Sequence, residues 1–235
     1  MAYMVSALAG GCTLLGALMV LALGAPHRYT LAAVLGLAAG IMVGVTAGDL
    51  LPTALQAGRF ELVFVGLLSG ILIIALLDKG LGTLIDPSGS RLLKTGLLVA
   101  LGIALHDLPE GMAIAAGFAG TAGLGLFLAL AIGLHNIPEG MATAAPLRAA
   151  GVSPPKIIVA ATALSLVTPL GTALGFGLIQ VTDLSLSLLS ALAAGAMLYI
   201  SLFELIPRSM ILGLRPAATG ILTGLLLVWL AQLFL

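Results

Sequence analysis

Apolar runs of about 20 residues, the length that carries an α-helix across a bilayer, follow one another along the whole chain and are cut only by short groups of Gly, Pro or charge. Inside a bilayer every backbone N–H and C=O must be paired within helices or a closed barrel, and runs of this length select helices. Of 235 residues 61% are hydrophobic and 8% are charged. No polar domain stands outside the apolar segments, so residues 1–235 read as a single transmembrane domain. Nine basic residues balance nine acidic ones, which removes the basic footprint that nucleic-acid binding requires. The predicted fold is all-α, a polytopic membrane protein of eight transmembrane helices near 3–25, 30–52, 60–78, 92–118, 122–147, 155–181, 185–207 and 213–235. The first run lacks a basic flank and is too long for a signal-peptide core, so it is read as a span. Cys12 has no second cysteine to pair with and reads as a packing residue.

Short connections predict orientation, because cytoplasmic loops collect Lys and Arg. Arg28, Lys79, Arg91, Lys94, Arg148, Lys156, Arg208 and Arg215 fall after odd-numbered spans, and only Arg59 falls on the other side. Both termini are therefore expected outside the cytoplasm, in a bacterial inner membrane. The longest connection runs from Lys79 to Arg91, with Gly80, Gly82 and Asp86-Pro87-Ser88-Gly89-Ser90 as turn residues. Spans two and seven also match each other. Ala38-Ala39-Gly40-Ile41-Met42 aligns with Ala193-Ala194-Gly195-Ala196-Met197, and Asp49-Leu50-Leu51-Pro52 aligns with Glu204-Leu205-Ile206-Pro207. These spans run in opposite directions, a sign of inverted repeats in which spans 1–3 relate to 6–8 and spans 4 and 5 are central.

The costly residues concentrate in spans four and five. His106-Asp107-Leu108-Pro109-Glu110-Gly111-Met112-Ala113 recurs as His135-Asn136-Ile137-Pro138-Glu139-Gly140-Met141-Ala142. A carboxylate at the middle of a membrane helix costs about 2.5–3.5 kcal/mol, so something must offset it. Residues four apart share a helix face; His106 with Glu110, and His135 with Glu139, each offer a nitrogen and an oxygen in one direction, half of a metal site. Pro109 and Pro138 lack an N–H and clash one turn back, freeing the carbonyls of Leu105 and Leu134 toward a polar cavity. Imidazole with carboxylate suits Zn²⁺ and also Fe²⁺, Mn²⁺ or Co²⁺. The plain alternative is a set of hydrogen bonds joining two helices.

The repeated His-x-x-Pro-Glu-Gly, the eight spans and the external termini resemble the ZIP (Zrt/Irt-like protein) divalent-metal transporters of the bacterial type, over the whole chain. The resemblance implies zinc, or iron, manganese, cobalt or cadmium, moved into the cytoplasm as transported substrate, with no organic cofactor, and an assembly that in the family is often a homodimer. It implies that His106, Asp107, Glu110, His135, Asn136 and Glu139 line a site for one or two metal ions, and that the thioether of Met42 approaches it. Two positions depart from the family pattern: Asp107 stands where Asn is usual, and Thr168 precedes Pro169 in span six where Glu is usual.

Other residues carry two readings each. Asp107 and Asn136 sit about 100° round the helix from their His neighbours, where they either face a second ion or orient the ligands. Asp49 and Glu204 are interfacial anchors or mouth residues that attract cations, with Arg208 available to pair with Glu204. Met197 reads as packing and His27 as solvated. Gly36, Gly40 and Gly44 permit close helix approach or a sliding surface. As function, an intramembrane metallohydrolase is the alternative to a transporter, but the His-Glu-x-x-His signature is absent. The orientation has a direct check. A cysteine introduced at Gly89 should be unreachable by impermeant thiol reagents added outside intact cells, and labelling there reverses the topology.

Overall fold

The computed structural model describes residues 1–57, 59–85, 91–177 and 183–233; the Asp86-to-Ser90 turn expected above lies outside them. The described residues form helices and no strand. Eight of the helices are long and apolar enough to cross a membrane: α1 (Ala2–Leu23), α2 (Arg28–Gln56), α3 (Phe60–Leu84), α4 (Arg91–Gly120), α5 (Ala122–Ala149), α6 (Pro154–Gly177), α7 (Ser187–Leu212) and α8 (Leu214–Gln232).

Three sets of helix limits depart from the expected ones for physical reasons. Helix α3 runs on through Lys79, Gly80 and Gly82 to Leu84, where those residues were expected in a loop. A helical glycine costs only about 1 kcal/mol, and Asp78 fastens this end of α3 by an ion pair to Lys94 of α4 at 2.7 Å and a hydrogen bond from Tyr199 of α7 at 3.1 Å. Helices α2 and α7 do not stop at Pro52 and Pro207. Each widens into a π turn just before its proline, at Thr46–Leu50 and Ile200–Leu205. Leu51 N–H then donates to Thr46 O and Ile206 N–H to Ser201 O, and the wider turn gives room to the proline ring, which would otherwise strike the carbonyl one turn back. Helix α6 breaks at Leu166, between Pro154–Ser165 and Val167–Gly177. Pro169 cannot donate to Ser165 O, and α1 passes so close that a Cβ on Gly10 would collide with that oxygen.

Helices α4 and α5 are joined by Thr121 alone, whose hydroxyl accepts from Leu124 N–H at 3.1 Å and caps α5. So short a link makes them antiparallel neighbours. At its far end α5 closes on Gly151, with φ of 85°; Val152 N–H bonds to Leu147 O at 3.0 Å and Gly151 N–H to Arg148 O at 3.1 Å, the paired bonds of a Schellman stop.

The most extensive packing is pairwise: α1 on α5, α4 on α6 and on α5, α2 on α8, and α3 on α7. Small residues allow it. Gly140 of α5 lies against the Thr13 backbone of α1, Gly111 of α4 against Thr168 of α6, Gly40 of α2 against Ile221 of α8, and Gly195 of α7 against Leu67 of α3. In lipid the attraction between helices is largely contact and hydrogen bonding, so backbone proximity matters. The result is one group of α1, α4, α5 and α6 beside another of α2, α3, α7 and α8. Because Gly140 has no room for a Cβ, Gly140→Ala should cost about 1–3 kcal/mol through overpacking and lower the melting temperature in detergent. Gly11→Ala, where a Cβ meets nothing within 4 Å, should leave it unchanged or slightly higher. Equal melting temperatures for the two variants would contradict close approach as the reason for glycine at position 140.

Candidate metal centre

Helical periodicity puts His106 and Glu110 on one face of α4, and His135 and Glu139 on one face of α5. Antiparallel packing then sets the two faces against each other in crossed register. His106 Nε2 meets Glu139 Oε2 at 3.2 Å, and His135 Nε2 meets Glu110 Oε1 at 2.9 Å. The expected His-to-Glu pairing along each helix is thus completed between helices. His106, Asp107, Asn136 and Glu139 are fully buried and Glu110 nearly so, while the His135 side chain keeps 13% exposure.

The His106 ring is held by its other nitrogen. Nδ1 lies 3.0 Å from Gly102 O, and a carbonyl only accepts, so Nδ1 carries the proton and Nε2 is the atom offered to a ligand. Asp107 is brought to the same place: Oδ1 is 3.3 Å from His106 Nε2, and Oδ2 accepts from the Thr168 hydroxyl of α6 at 3.5 Å. Ligand atoms of His106, Asp107 and Glu110 all lie within 4.8 Å of one another. Asn136 turns its amide nitrogen to Ala9 O of α1 at 3.1 Å, which leaves its oxygen free.

Four buried oxygens here have no hydrogen-bond partner: Asp107 Oδ1, Glu110 Oε2, Asn136 Oδ1 and Glu139 Oε1. Buried polar atoms are ordinarily paired, and an unpaired one costs about 1–3 kcal/mol. The ion pairs of Lys and Arg among the described residues lie elsewhere, at Glu61, Asp78 and Glu204. Three carboxylates therefore share a largely buried seam with two imidazoles and, among the described residues, no fixed cation. Two donors on one tetrahedral Zn²⁺, with bonds of about 2.0–2.2 Å, stand roughly 3.3 Å apart. The crossed His–Glu distances need little widening to match that.

Met42 belongs to α2 and is fully buried in the apolar core that includes Ala38, Ile103 and Met197. Thr46 donates to Met42 O at 2.7 Å with the Met197 sulfur 3.8 Å away. Met197 is packing, as expected. Arg208 does approach Glu204, at 3.7 Å, and Thr95 of α4 donates a hydrogen bond to the same carboxylate. One cavity touches the centre at His135, and a second lies further along α5. The first, of 280 Å³, is lined by Asp49, Leu134, His135 and Pro138; Leu134 borders it, but its walls are mostly apolar, where a polar cavity was expected, and Leu105 lines neither cavity. The other, of 260 Å³, is lined by His27, Val34, Met141 and Ala145; His27 is exposed and accepts from Tyr29 N–H at 3.5 Å. Sequence reasoning missed Thr95, Gly102 O and Ala9 O. Gly102 was within reach of it, being one turn before His106; the other two are held in place by packing between distant helices.

Known proteins resemble the chain over most of its length. The family profile described as ZIP zinc transporter matches residues 85–228. The chain is 34% identical to a zinc transporter ZupT of Corynebacterium aurimucosum over 86% of its own length and 84% of the relative's. It is 30% identical to a zinc transporter ZupT of Streptococcus mutans over 97% and 94%, and 35% identical to a zinc transporter ZIPB of Bordetella bronchiseptica over 92% and 75%. The matched region contains both His-x-x-Pro-Glu-Gly motifs and their crossed pairs, and the chain belongs to the ZIP zinc transporter family.

Proposed function

We propose that this protein moves a divalent cation, zinc first among them, across the membrane into the cytoplasm through the seam of α4 and α5. The observation that carries the reading is the set of four unpartnered buried oxygens beside two imidazoles with no Lys or Arg among them. A divalent cation supplies the missing charge and the missing partner for each oxygen at once. His106, Glu110, His135 and Glu139 are its principal ligands; Asp107 adds a third carboxylate, and Asn136 adds an amide oxygen while tying α5 to α1. Met42 is a ligand only if α2 shifts relative to α5, since its side chain lies in the apolar core. The names of the relatives describe transport, and the metallohydrolase reading is set aside.

The orientation rests on the basic residues, eight of nine of which lie at the junctions that end odd-numbered spans. Inverted repeats are supported by the matched π turns before Pro52 and Pro207 and by the way α2-on-α8 mirrors α7-on-α3. On α5 the first cavity reaches Pro138 and the second begins at Met141, about 4.5 Å of helix rise apart, and Glu139 lies between them. In this reading a movement of one helix group against the other passes the ion from one cavity to the other.

Glu110→Gln and Glu139→Gln should each weaken Zn²⁺ binding at least tenfold, about 1.4 kcal/mol, and should stop uptake into proteoliposomes. Normal uptake by either well-folded variant removes the site. A second prediction follows from charge. Two close ions carry four positive charges against three carboxylates and repel unless bridged, so equilibrium dialysis should count one tightly held ion per protomer. Thr168→Glu should add a second ion and slow release; two equal ions in the unmodified protein, with no effect of Thr168→Glu, would refute the charge argument.

A further inference from the structure

The cavity between α2, α5 and α8 has an acid at one wall and a ligand of the centre at another. Its lining includes Ile41, Val45 and Leu227, and its two titratable groups are Asp49 and His135. Asp49 lies in the π turn of α2. In an uninterrupted α-helix each step of four residues drifts by about 40°, which would carry Asp49 about 80° round from Ile41. The wider π turn takes back part of that rotation, and Ile41, Val45 and Asp49 line one wall. The proline that follows thus has a consequence for function: it imposes the turn that aims the acid.

The aligned acid on α7 is treated differently. Glu204 is buried and closed off by the Thr95 hydroxyl and Arg208. Asp49 is exposed to the cavity and makes no ion pair among the described residues. His135 is the more accessible of the two central histidines, at 13% against 0% for His106. The Gln232 amide lies beside Asp49, but a carboxylate with no fixed cation against it, at the edge of a low-dielectric, apolar-walled space, concentrates cations there, and a single carboxylate releases them easily.

We propose that Asp49 is a capture site at which a hydrated divalent cation first binds, before it is passed across the cavity to His135 and Glu110. This rests on the reading of His135 and Glu110 as ligands. Asp49 sets the concentration at which uptake half-saturates, and the α4–α5 centre sets how tightly the ion is finally held.

The test is Zn²⁺ uptake by proteoliposomes over a range of Zn²⁺ and salt concentrations, with equilibrium Zn²⁺ binding on the same preparations. Asp49→Asn should raise the half-saturating Zn²⁺ at least fivefold, leave the maximal rate within about twofold, and flatten the rise of half-saturation with ionic strength that the unmodified protein shows. Asp49→Glu should restore both. Ala131→Trp, which fills the cavity from a wall without a ligand, should lower the maximal rate and leave equilibrium binding in place. An unchanged half-saturation and salt response in Asp49→Asn overturns the capture site, as does a loss of tight equilibrium binding equal to that of Glu110→Gln, which would make Asp49 part of the centre itself. If Glu110→Gln binds and transports normally, the central site fails instead, and the two failures are separated.

Discussion

Three carboxylates held in a largely buried seam, with no fixed cation among the described residues, are the constraint to which the rest of the structure answers. The attraction between a carboxylate and a cation grows as water is excluded, and so does the cost of leaving the carboxylate alone. Crossed contacts of His106 with Glu139 and His135 with Glu110 meet part of that cost. The oxygens Asp107 Oδ1, Glu110 Oε2, Glu139 Oε1 and Asn136 Oδ1 stay unpartnered, the part that the proposed function leaves to a mobile ion. A site that paired every oxygen internally would be more stable and would have nothing to offer a substrate.

Holding such a seam together requires the helices around it to come very close. Gly140 and Gly111 remove side chains where α1 meets α5 and where α4 meets α6, and this brings Ala9 O to Asn136 and the Thr168 hydroxyl to Asp107. Gly102 O fixes the His106 ring from within α4. Close approach at these glycines thus supports the polar contacts around the His and Glu side chains of α4 and α5.

The prolines divide the helices into two kinds. In α4 and α5 the helix continues through Pro109 and Pro138 in α geometry, keeping His and Glu one turn apart on a face. In α2 and α7 the backbone instead widens ahead of Pro52 and Pro207, which turns Asp49 and Glu204. Those two acids occupy matching positions in the chain, but α4 supplies Thr95 to one of them and a cavity faces the other. Equivalent local sequence has been given unlike environments by its neighbours.

Much of this architecture was legible in the sequence. The eight spans followed from the length of the apolar runs, because a bilayer accepts only internally bonded backbone, and the ligand faces followed from the helical repeat, because four residues return a side chain to the same side. Loop limits were less legible. Glycines that suggested a turn after Lys79 are tolerated within α3, since the penalty for a helical glycine is small against that of exposing backbone to lipid. What the tertiary structure alone decided was which group meets which. The crossed His–Glu register, the grip of α1 on Asn136 and the closure of Glu204 by Thr95 join residues 25 to 127 positions apart, and the burial of Met42 in the apolar core likewise depends on distant helices. Helical periodicity states the direction in which a side chain points; only the packing of helices, through the absence of a Cβ at a few glycines, determines what lies in that direction.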